Sequence, residues 1–402
     1  MSPPPRTHPL MRSALVDRAN GWLTRAWAKG LCTRPSLDPQ ALWRKAALTA
    51  PADGESGGRS DEEVADFRLR LERLCASLEE EAALNPLGRT LAHGQLVRAI
   101  RQRLMLGALW RRRPELAEHA IAAPIIVVGQ MRSGTTRVHR LLASDPAHAG
   151  TRFCDSWLPC PPASPRAPDL RPLWSALMLV VARRLDPWLD AIHPFGVTRP
   201  DEELGWLAAS LDHCAYEAQW RVPAFTAFSE ARDPTPVYAE FTRILRTDAA
   251  MRGNAQRRRV LKVPQFAEDL PALLARFPDA RIVRTHRAAE EVAASAVSLV
   301  ANQMAIQSDA ADIAWIEVEC RRKIALREAR MDAALGGFTG RLGEIAYSQL
   351  EHDWPAAMAR LYATLDLPLG KQALAAMHRE QSRAASAPHA AHRQTYRAFA
   401  EA

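Results

Sequence analysis

Residues 124–136, Pro-Ile-Ile-Val-Val-Gly-Gln-Met-Arg-Ser-Gly-Thr-Thr, constrain the fold more than any other stretch of this chain. Ile125 to Val128 are four consecutive β-branched residues with no polar alternation. Such a run, ended by glycine, predicts a strand buried on both faces of a parallel sheet. Gly129 and Gly134 stand five positions apart, and Thr136 to Ala143 reads as a helix closed by Asp145-Pro146. Strand, glycine-flanked turn and helix in that order let the backbone wrap round an anion, with free N–H groups and the positive end of the helix dipole aimed at it. The spacing is that of a P-loop, but Thr135 stands where the lysine of that loop belongs. The one cation in the loop is Arg132, three positions earlier.

The rest of the chain agrees with strand–helix alternation. Val260–Val263 reads as a strand before a helix ending near Phe277-Pro278, and Arg281–Thr285 as a strand before a helix running through about Ala305. Residues 310–335 read as one long helix, 344–347 as a strand and 354–365 as a helix. This predicts an α/β fold, a P-loop-type parallel sheet flanked by helices. Upstream, Asp61 is placed to cap a helical region that runs to about Arg113, with Glu62 and Glu63 in the first turn and a break at Asn85-Pro86. Ala52–Ser60 is a polar loop. Residues 151–240, rich in Pro and Trp and poor in periodicity, read as a loop-rich helical insertion. A chain of 402 residues allows two or three domains. The expected division is a helical N-terminal region at 1–120, the α/β domain at 121–370 and a C-terminal helical tail at 371–402.

Composition excludes several classes. With 48% hydrophobic and 24% charged residues the chain is neither disordered nor collagen-like. The net charge of +8 favours anionic partners, yet only five of the 53 basic side chains are lysines. That arginine bias weakens the raw charge as a sign of nucleic-acid binding. The runs Arg111-Arg112-Arg113 and Arg257-Arg258-Arg259 read as a helix end and a loop, so no nucleic-acid partner is expected. The six cysteines are scattered without a CxxC pair, so neither a metal site nor a disulfide framework is expected. No apolar run approaches the ~20 residues of a membrane span. The longest, Pro172–Ala182, is bounded by Arg171 and Arg183, and the chain reads as cytoplasmic. Residues 10–29 place Met11, Leu15, Ala19, Trp22 and Ala26 at helical spacing among Arg12, Arg18, Arg25 and Lys29. That pattern fits a helix packed on the domain with a solvated basic face, or a weak peripheral contact with a membrane surface.

The motif Gly129-Gln130-Met131-Arg132-Ser133-Gly134-Thr135-Thr136, followed by Leu141-Leu142-Ala143-Ser144-Asp145-Pro146, resembles the GxPRSGTT…LLxxDP signature of sulfotransferases, closest to their bacterial branch. A second element, Pro278-Asp279-Ala280-Arg281-Ile282-Val283 with Arg287 and Ser295, resembles the family segment in which an arginine and a serine eight positions later grip the nucleotide 3′-phosphate. Val260-Leu261-Lys262-Val263-Pro264 resembles the strand ending in Leu-Lys-Ser-Pro, and Ala346-Tyr347-Ser348-Gln349-Leu350 resembles a Tyr-Glu-Asp-Leu element near the nucleotide. Arg199-Pro200-Asp201-Glu202-Glu203 resembles a Pro-Glu-Glu segment of the acceptor region. The resemblance spans roughly 121–370. The chain departs from the pattern at Met131, Val263, Phe266 and Ala288-Ala289.

This resemblance implies transfer of a sulfuryl group from 3′-phosphoadenosine 5′-phosphosulfate to a hydroxyl or amine of a small-molecule, glycan or lipid acceptor, with no metal required. It implies that Arg132, Ser133, Gly134, Thr135 and Thr136 hold the 5′-phosphosulfate, that Arg287 and Ser295 hold the 3′-phosphate, and that Tyr347 neighbours the nucleotide. Asp155 falls where many relatives carry an acidic base, and His193 is the competing base, with Lys262 as a charge stabiliser. Two other readings stay open. A P-loop kinase needs a lysine at position 135 and an acidic metal ligand, and a non-catalytic nucleotide-binding module of the same fold keeps the pocket without turnover. Trp157, Trp174, Trp188, Trp206 and Trp220 either line an acceptor pocket or pack in the core.

Overall fold

The computed structural model describes residues 4–385 apart from 163, 165 and 166. Five strands, β1 (Ile125–Val128), β2 (His148–Gly150), β3 (Arg258–Lys262), β4 (Arg281–His286) and β5 (Leu342–Ala346), form one sheet in the order β2-β3-β1-β4-β5. Every pairing is parallel, with Ile125 opposite Val260 on one side and Arg281 on the other. β1 sits at the centre and all four of its side chains are fully buried, as a strand covered on both faces requires. Because the strands run the same way, their carboxyl ends share one edge, where α/β sheets of this kind bind ligands.

Two cores flank the sheet. On one face Ile126, Val128, Leu261 and Ile282 pack with Leu106 and Trp110 of helix Pro86–Arg112 and with Phe241 and Ile244 of helix Thr235–Met251. On the other, Ile125, Val127 and Val283 pack with Leu141, Met358 and Leu361. The N-terminal helices make a further core with the insertion, in which Leu71, Leu74 and Leu96 meet Tyr216, Trp220 and Phe225. Helix Pro86–Arg112 thus belongs to both layers and fixes the insertion over the sheet edge. Its break from helix Asp61–Glu80 falls at Asn85, whose side chain caps the Gly88 N–H at 2.7 Å, and Pro86 takes the first helical position.

Several expectations shift in detail. The helix near the N-terminus is Ala14–Ala28, but its buried side is Val16, Asn20 and Ala26, whereas Leu15 and Trp22 face solvent. β2 lies within a stretch that carries no strand signal, because three edge residues offer no periodicity. Tyr347 starts helix Tyr347–Thr364 rather than ending β5. The arginine runs are engaged internally: Arg111 pairs with Asp53, Arg113 with Glu115, and Arg259 with Asp248. The expected tail from 371 is helical through Ala385, and 386–402 lie outside the described residues. Among the described residues no helix is long and apolar enough to cross a membrane.

Candidate active site

The loop after β1 shows why its two glycines are required. Gly129 has φ +147°, and a Cβ there would stand 2.2 Å from the Thr285 hydroxyl. Gly134 has φ +96°, and a Cβ would meet Tyr347 Cδ2 at 2.7 Å. The close approach of backbone to neighbouring chain is therefore closed to any side chain. Helix Thr135–Ser144 starts at Gly134, and the first N–H groups, those of Thr135 and Thr136, have no backbone acceptor among the described residues. They open the cradle that the sequence predicts.

Side chains from four strand ends converge there. Arg132, itself at φ +72°, donates from Nε to the Ser295 hydroxyl at 2.9 Å and from a guanidinium nitrogen to the Ile192 carbonyl at 3.1 Å. It has no carboxylate partner among the described residues, and burial together with the neighbouring Arg287 pushes its pKa below the usual arginine value. Arg287, one residue beyond β4, donates to the Arg132 carbonyl at 2.9 Å, pairs with Glu291 and lies 4.4 Å from the centre of the Tyr347 ring. Arg132, Arg287, Ser295 and Tyr347 are thus brought together. Ser133 is turned elsewhere: its hydroxyl donates to the Gln130 carbonyl and shares a hydrogen with Thr285, each at 2.6 Å. Its part is to pin the loop onto β4.

At the end of β3, Lys262 reaches the loop from the other side. Its ammonium donates to the Thr136 hydroxyl at 2.9 Å and pairs with the Glu202 carboxylate. Glu202 belongs to the Arg-Pro-Asp-Glu-Glu segment, and the neighbouring Asp201 holds His193 through Nε2 at 3.1 Å. The ligand atoms of His193, Asp201 and Glu202 lie within 4.8 Å of one another. Burial would raise the Asp201 carboxyl, but the His193 charge and hydrogen bond, with Arg140, outweigh it and hold it at about 2. Under the loop helix, burial and Lys262 push His139 down to about 3, so that it stays neutral beside the cations.

Asp155 sits apart from this cluster and does not line the cavity. Arg152 donates to it at 2.6 and 2.9 Å, and Arg171 and Arg252 lie at 3.2 and 3.6 Å. Burial alone would raise its pKa, yet the three guanidiniums outweigh burial and keep it below the usual carboxylate range. Asp155 anchors the start of helix Arg171–Leu185 instead of facing a substrate.

Glu203 holds the lysine from behind. Its Oε2 accepts the Lys262 backbone N–H at 2.8 Å. Burial pushes its carboxyl up to about 8, against the opposing effects of the Lys262 N–H, the Thr151 hydroxyl and Arg259. A carboxyl raised in the folded state keeps a proton that the unfolded chain releases. Its stabilising effect is complete below pH 4.5 and is lost as pH rises to about 8. The unfolding free energy is expected to fall by about 3–5 kcal/mol across that interval. In Glu203→Gln this part of the slope should vanish, which urea unfolding at the two ends of the interval measures. A variant with the wild-type slope would contradict the assignment.

The cations of the site line one cavity of about 1860 Å³ that extends from the loop to helix Arg171–Leu185. Arg132, Thr136, His193, Glu202, Lys262, Arg287 and Tyr347 border one end, and Arg98, Trp157, Trp174 and Met178 the other. Pockets for small ligands enclose about 300–1,000 Å³. The space is therefore enough for a nucleotide and a second, largely apolar molecule. Of the five tryptophans of the insertion, Trp157 and Trp174 line this cavity, while Trp188, Trp206 and Trp220 are buried in the core. Glu202 and Glu203 were legible in sequence only as the Pro-Glu-Glu resemblance; nothing local marks Arg98 or Thr285.

A parallel α/β sheet whose first strand leads into a glycine-flanked loop with open backbone N–H groups, with cations gathered at the carboxyl edge, defines the class: an α/β protein of the P-loop type. The sequence profile of the sulfotransferase family matches residues 124–371, and the chain belongs to that family. Two solved structures share the fold. Sulfotransferase STF1 from Mycobacterium tuberculosis H37Rv is 28% identical, with a TM-score of 0.72 over 86% of this chain and 94% of that one. Sulfotransferase STF9 from Mycobacterium avium is 22% identical, with a TM-score of 0.73 over 86% of this chain and 87% of that one. No curated protein matches the sequence.

Proposed function

We propose that the protein transfers a sulfuryl group from 3′-phosphoadenosine 5′-phosphosulfate to an acceptor hydroxyl or amine. The observation that carries this reading is the convergence of Arg132, Arg287 and Lys262 on a loop whose backbone is kept open by Gly129 and Gly134. Arg132, half-buried and without a carboxylate partner among the described residues, fits an anion that carries its own negative charge. The missing loop lysine argues against a magnesium-bound triphosphate. When bound, the donor supplies an activated sulfuryl group and leaves as adenosine 3′,5′-bisphosphate. The chain does the rest. Arg132 and the open N–H groups of Thr135 and Thr136 hold the 5′ end, and Lys262 with Thr136 steadies charge that builds on the bridging oxygen. Glu202 takes the acceptor proton, so that as the acceptor oxygen or nitrogen bonds to sulfur, no charge is stranded on it. His193, oriented by Asp201, is the second base within reach of the same cluster.

Arg287 tests the donor. It stands over Tyr347 beside the loop, and Ser295 faces the same pocket. Losing a charge-assisted contact costs about 1.5–3 kcal/mol, or about 10–150-fold in affinity. Arg287→Ala is expected to weaken adenosine 3′,5′-bisphosphate by that factor and adenosine 5′-monophosphate far less, as read by calorimetry. Equal weakening of both would mean that Arg287 acts only by holding the Arg132 carbonyl.

A further inference from the structure

Helix Arg171–Leu185 turns an apolar stripe to solvent. Leu173, Trp174, Leu177, Val180 and Val181 leave 47–65% of their surface exposed, at the i, i+4, i+7 spacing of one helix side. An amphipathic helix of a soluble domain shows water its polar side; this one leaves apolar side chains in water. The opposite side of the helix is also apolar and roofs the acceptor end of the cavity through Met178, Leu179, Ala182 and Leu185. Trp174, Leu177 and Val181 belong to both surfaces, so the exposed stripe runs into the cavity mouth. The lining of the same cavity includes Leu48, 75% exposed, and Lys45, with the exposed Arg44 beside it in sequence.

The neighbouring element repeats this chemistry. Helix Ala14–Ala28 meets the end of helix Arg171–Leu185, where the Ser13 hydroxyl donates to the Leu185 carbonyl at 2.8 Å. Its exposed side combines Leu15 and Trp22 with Arg18, Arg25 and Lys29, at i, i+3, i+7, i+10 and i+14. Acids near these surfaces are already paired, Asp17 with Arg12 and Asp169 with Arg171. Apolar side chains with a tryptophan, bordered by Arg18, Arg25 and Lys29, which pair with no acid among the described residues, are the composition of a surface that lies at the headgroup boundary of an anionic bilayer.

We propose that the mouth of the cavity docks on an anionic lipid surface and that the acceptor is a membrane amphiphile, a long-chain alcohol whose apolar tail passes between Leu48 and Trp174 while its hydroxyl reaches Glu202 and Lys262. The acceptor class rests on the sulfuryl-transfer reading above; the docking surface does not. A tail entering from the leaflet never crosses water, which accounts for an apolar rim continuous with an apolar roof.

The test uses the full chain and vesicles of phosphatidylcholine and phosphatidylglycerol. Co-sedimentation is expected for the unaltered protein, weakening as salt rises. Leu173→Glu/Val180→Glu, on the stripe but outside the cavity wall, is expected to lower the bound fraction about tenfold or more. The same variant should bind adenosine 3′,5′-bisphosphate with unchanged affinity, which shows that it is folded. With labelled phosphosulfate and vesicles that contain hexadecanol, label should enter the organic phase, about tenfold less with the double variant. Vesicle binding that survives the double substitution, or a folded protein that ignores vesicles and self-associates through this face, would overturn the docking surface. Vesicle binding without organic-phase label, in a protein that binds the bisphosphate, would overturn the acceptor class alone. Vesicle binding without any response to the bisphosphate would overturn the sulfuryl-transfer reading and leave the docking surface standing.

Discussion

Glu202→Gln is expected to lower kcat by about 10²–10⁴-fold, the range over which a positioned general base acts. Its affinity for adenosine 3′,5′-bisphosphate should stay near that of the unaltered protein. The amide keeps the size of the carboxylate but cannot accept a proton, and it loses the charge that pairs with Lys262. Lys262 keeps the Thr136 hydroxyl at 2.9 Å, and its backbone N–H stays on Glu203, so the loop should remain in place. The split between a large effect on kcat and a small one on nucleotide affinity is what separates a base from a structural ion pair. Steady-state rates with labelled donor measure the first and calorimetry the second. Should Glu202→Gln turn over at the normal rate while His193→Ala fails, the proton goes to His193, oriented by Asp201.

The largest effect on stability is expected at Glu268→Ala, which should cost about 3–5 kcal/mol. Glu268 is buried and accepts from Lys323 Nζ at 2.6 Å and Arg327 Nε at 2.7 Å, with His213 Nε2 at 3.1 Å. Lys323 and Arg327 are themselves buried; Glu217 and Glu230 stay beside them, but Glu230 is shared with Arg322, and the donors that Glu268 accepts would be left unfilled in the interior. Burial would raise the Glu268 carboxyl, but Arg327 and Lys323 outweigh it and hold it well below the usual value. A carboxylate depressed in the folded state contributes its stability above the unfolded value of about 4.3 and loses it as pH falls through the lower, folded one. The difference between the unaltered protein and Glu268→Ala should therefore be full at neutral pH and shrink in acid, as denaturant unfolding at both conditions measures. A neutral-pH loss under about 1 kcal/mol, the level of an exposed pair, would contradict the assignment.

The parts of the fold legible in sequence are those written in local pattern. β1 carries four β-branched residues because both its faces are covered, and the two glycines of the loop stand where a Cβ would strike Thr285 or Tyr347. Helix boundaries at Asn85-Pro86 follow from the cap and the proline. β2 has no such pattern: three edge residues are defined only by their pairing with Arg258–Val260. The site divides the same way. Arg132, Arg287 and Ser295 are marked by spacing along strand, loop and helix, and the fold brings them into contact. Spacing could not say which way a side chain turns, so Ser133, expected on the donor, holds the loop to β4. Nor could it say which acid faces the cavity. Asp155 has a suggestive position in the chain but three arginines around it, whereas Glu202 meets Lys262 across 60 residues of sequence, a pairing that only the fold makes. The apolar helix Arg171–Leu185 reads in sequence as a short hydrophobic run, and only the fold shows which side is left to solvent.

The central claim is that the loop holds a 3′-phosphorylated adenosine 5′-phosphosulfate and not a magnesium-bound triphosphate, and ligand-induced shifts in unfolding test it most directly. A ligand at about one hundred times its dissociation constant adds about 2.7 kcal/mol of stability. Adenosine 3′,5′-bisphosphate is expected to raise the Tm of the unaltered protein by the corresponding amount, and ATP with magnesium to leave it unchanged at the same concentration. A shift with ATP and magnesium as large as that with the bisphosphate, or no shift with the bisphosphate at all, would contradict the account.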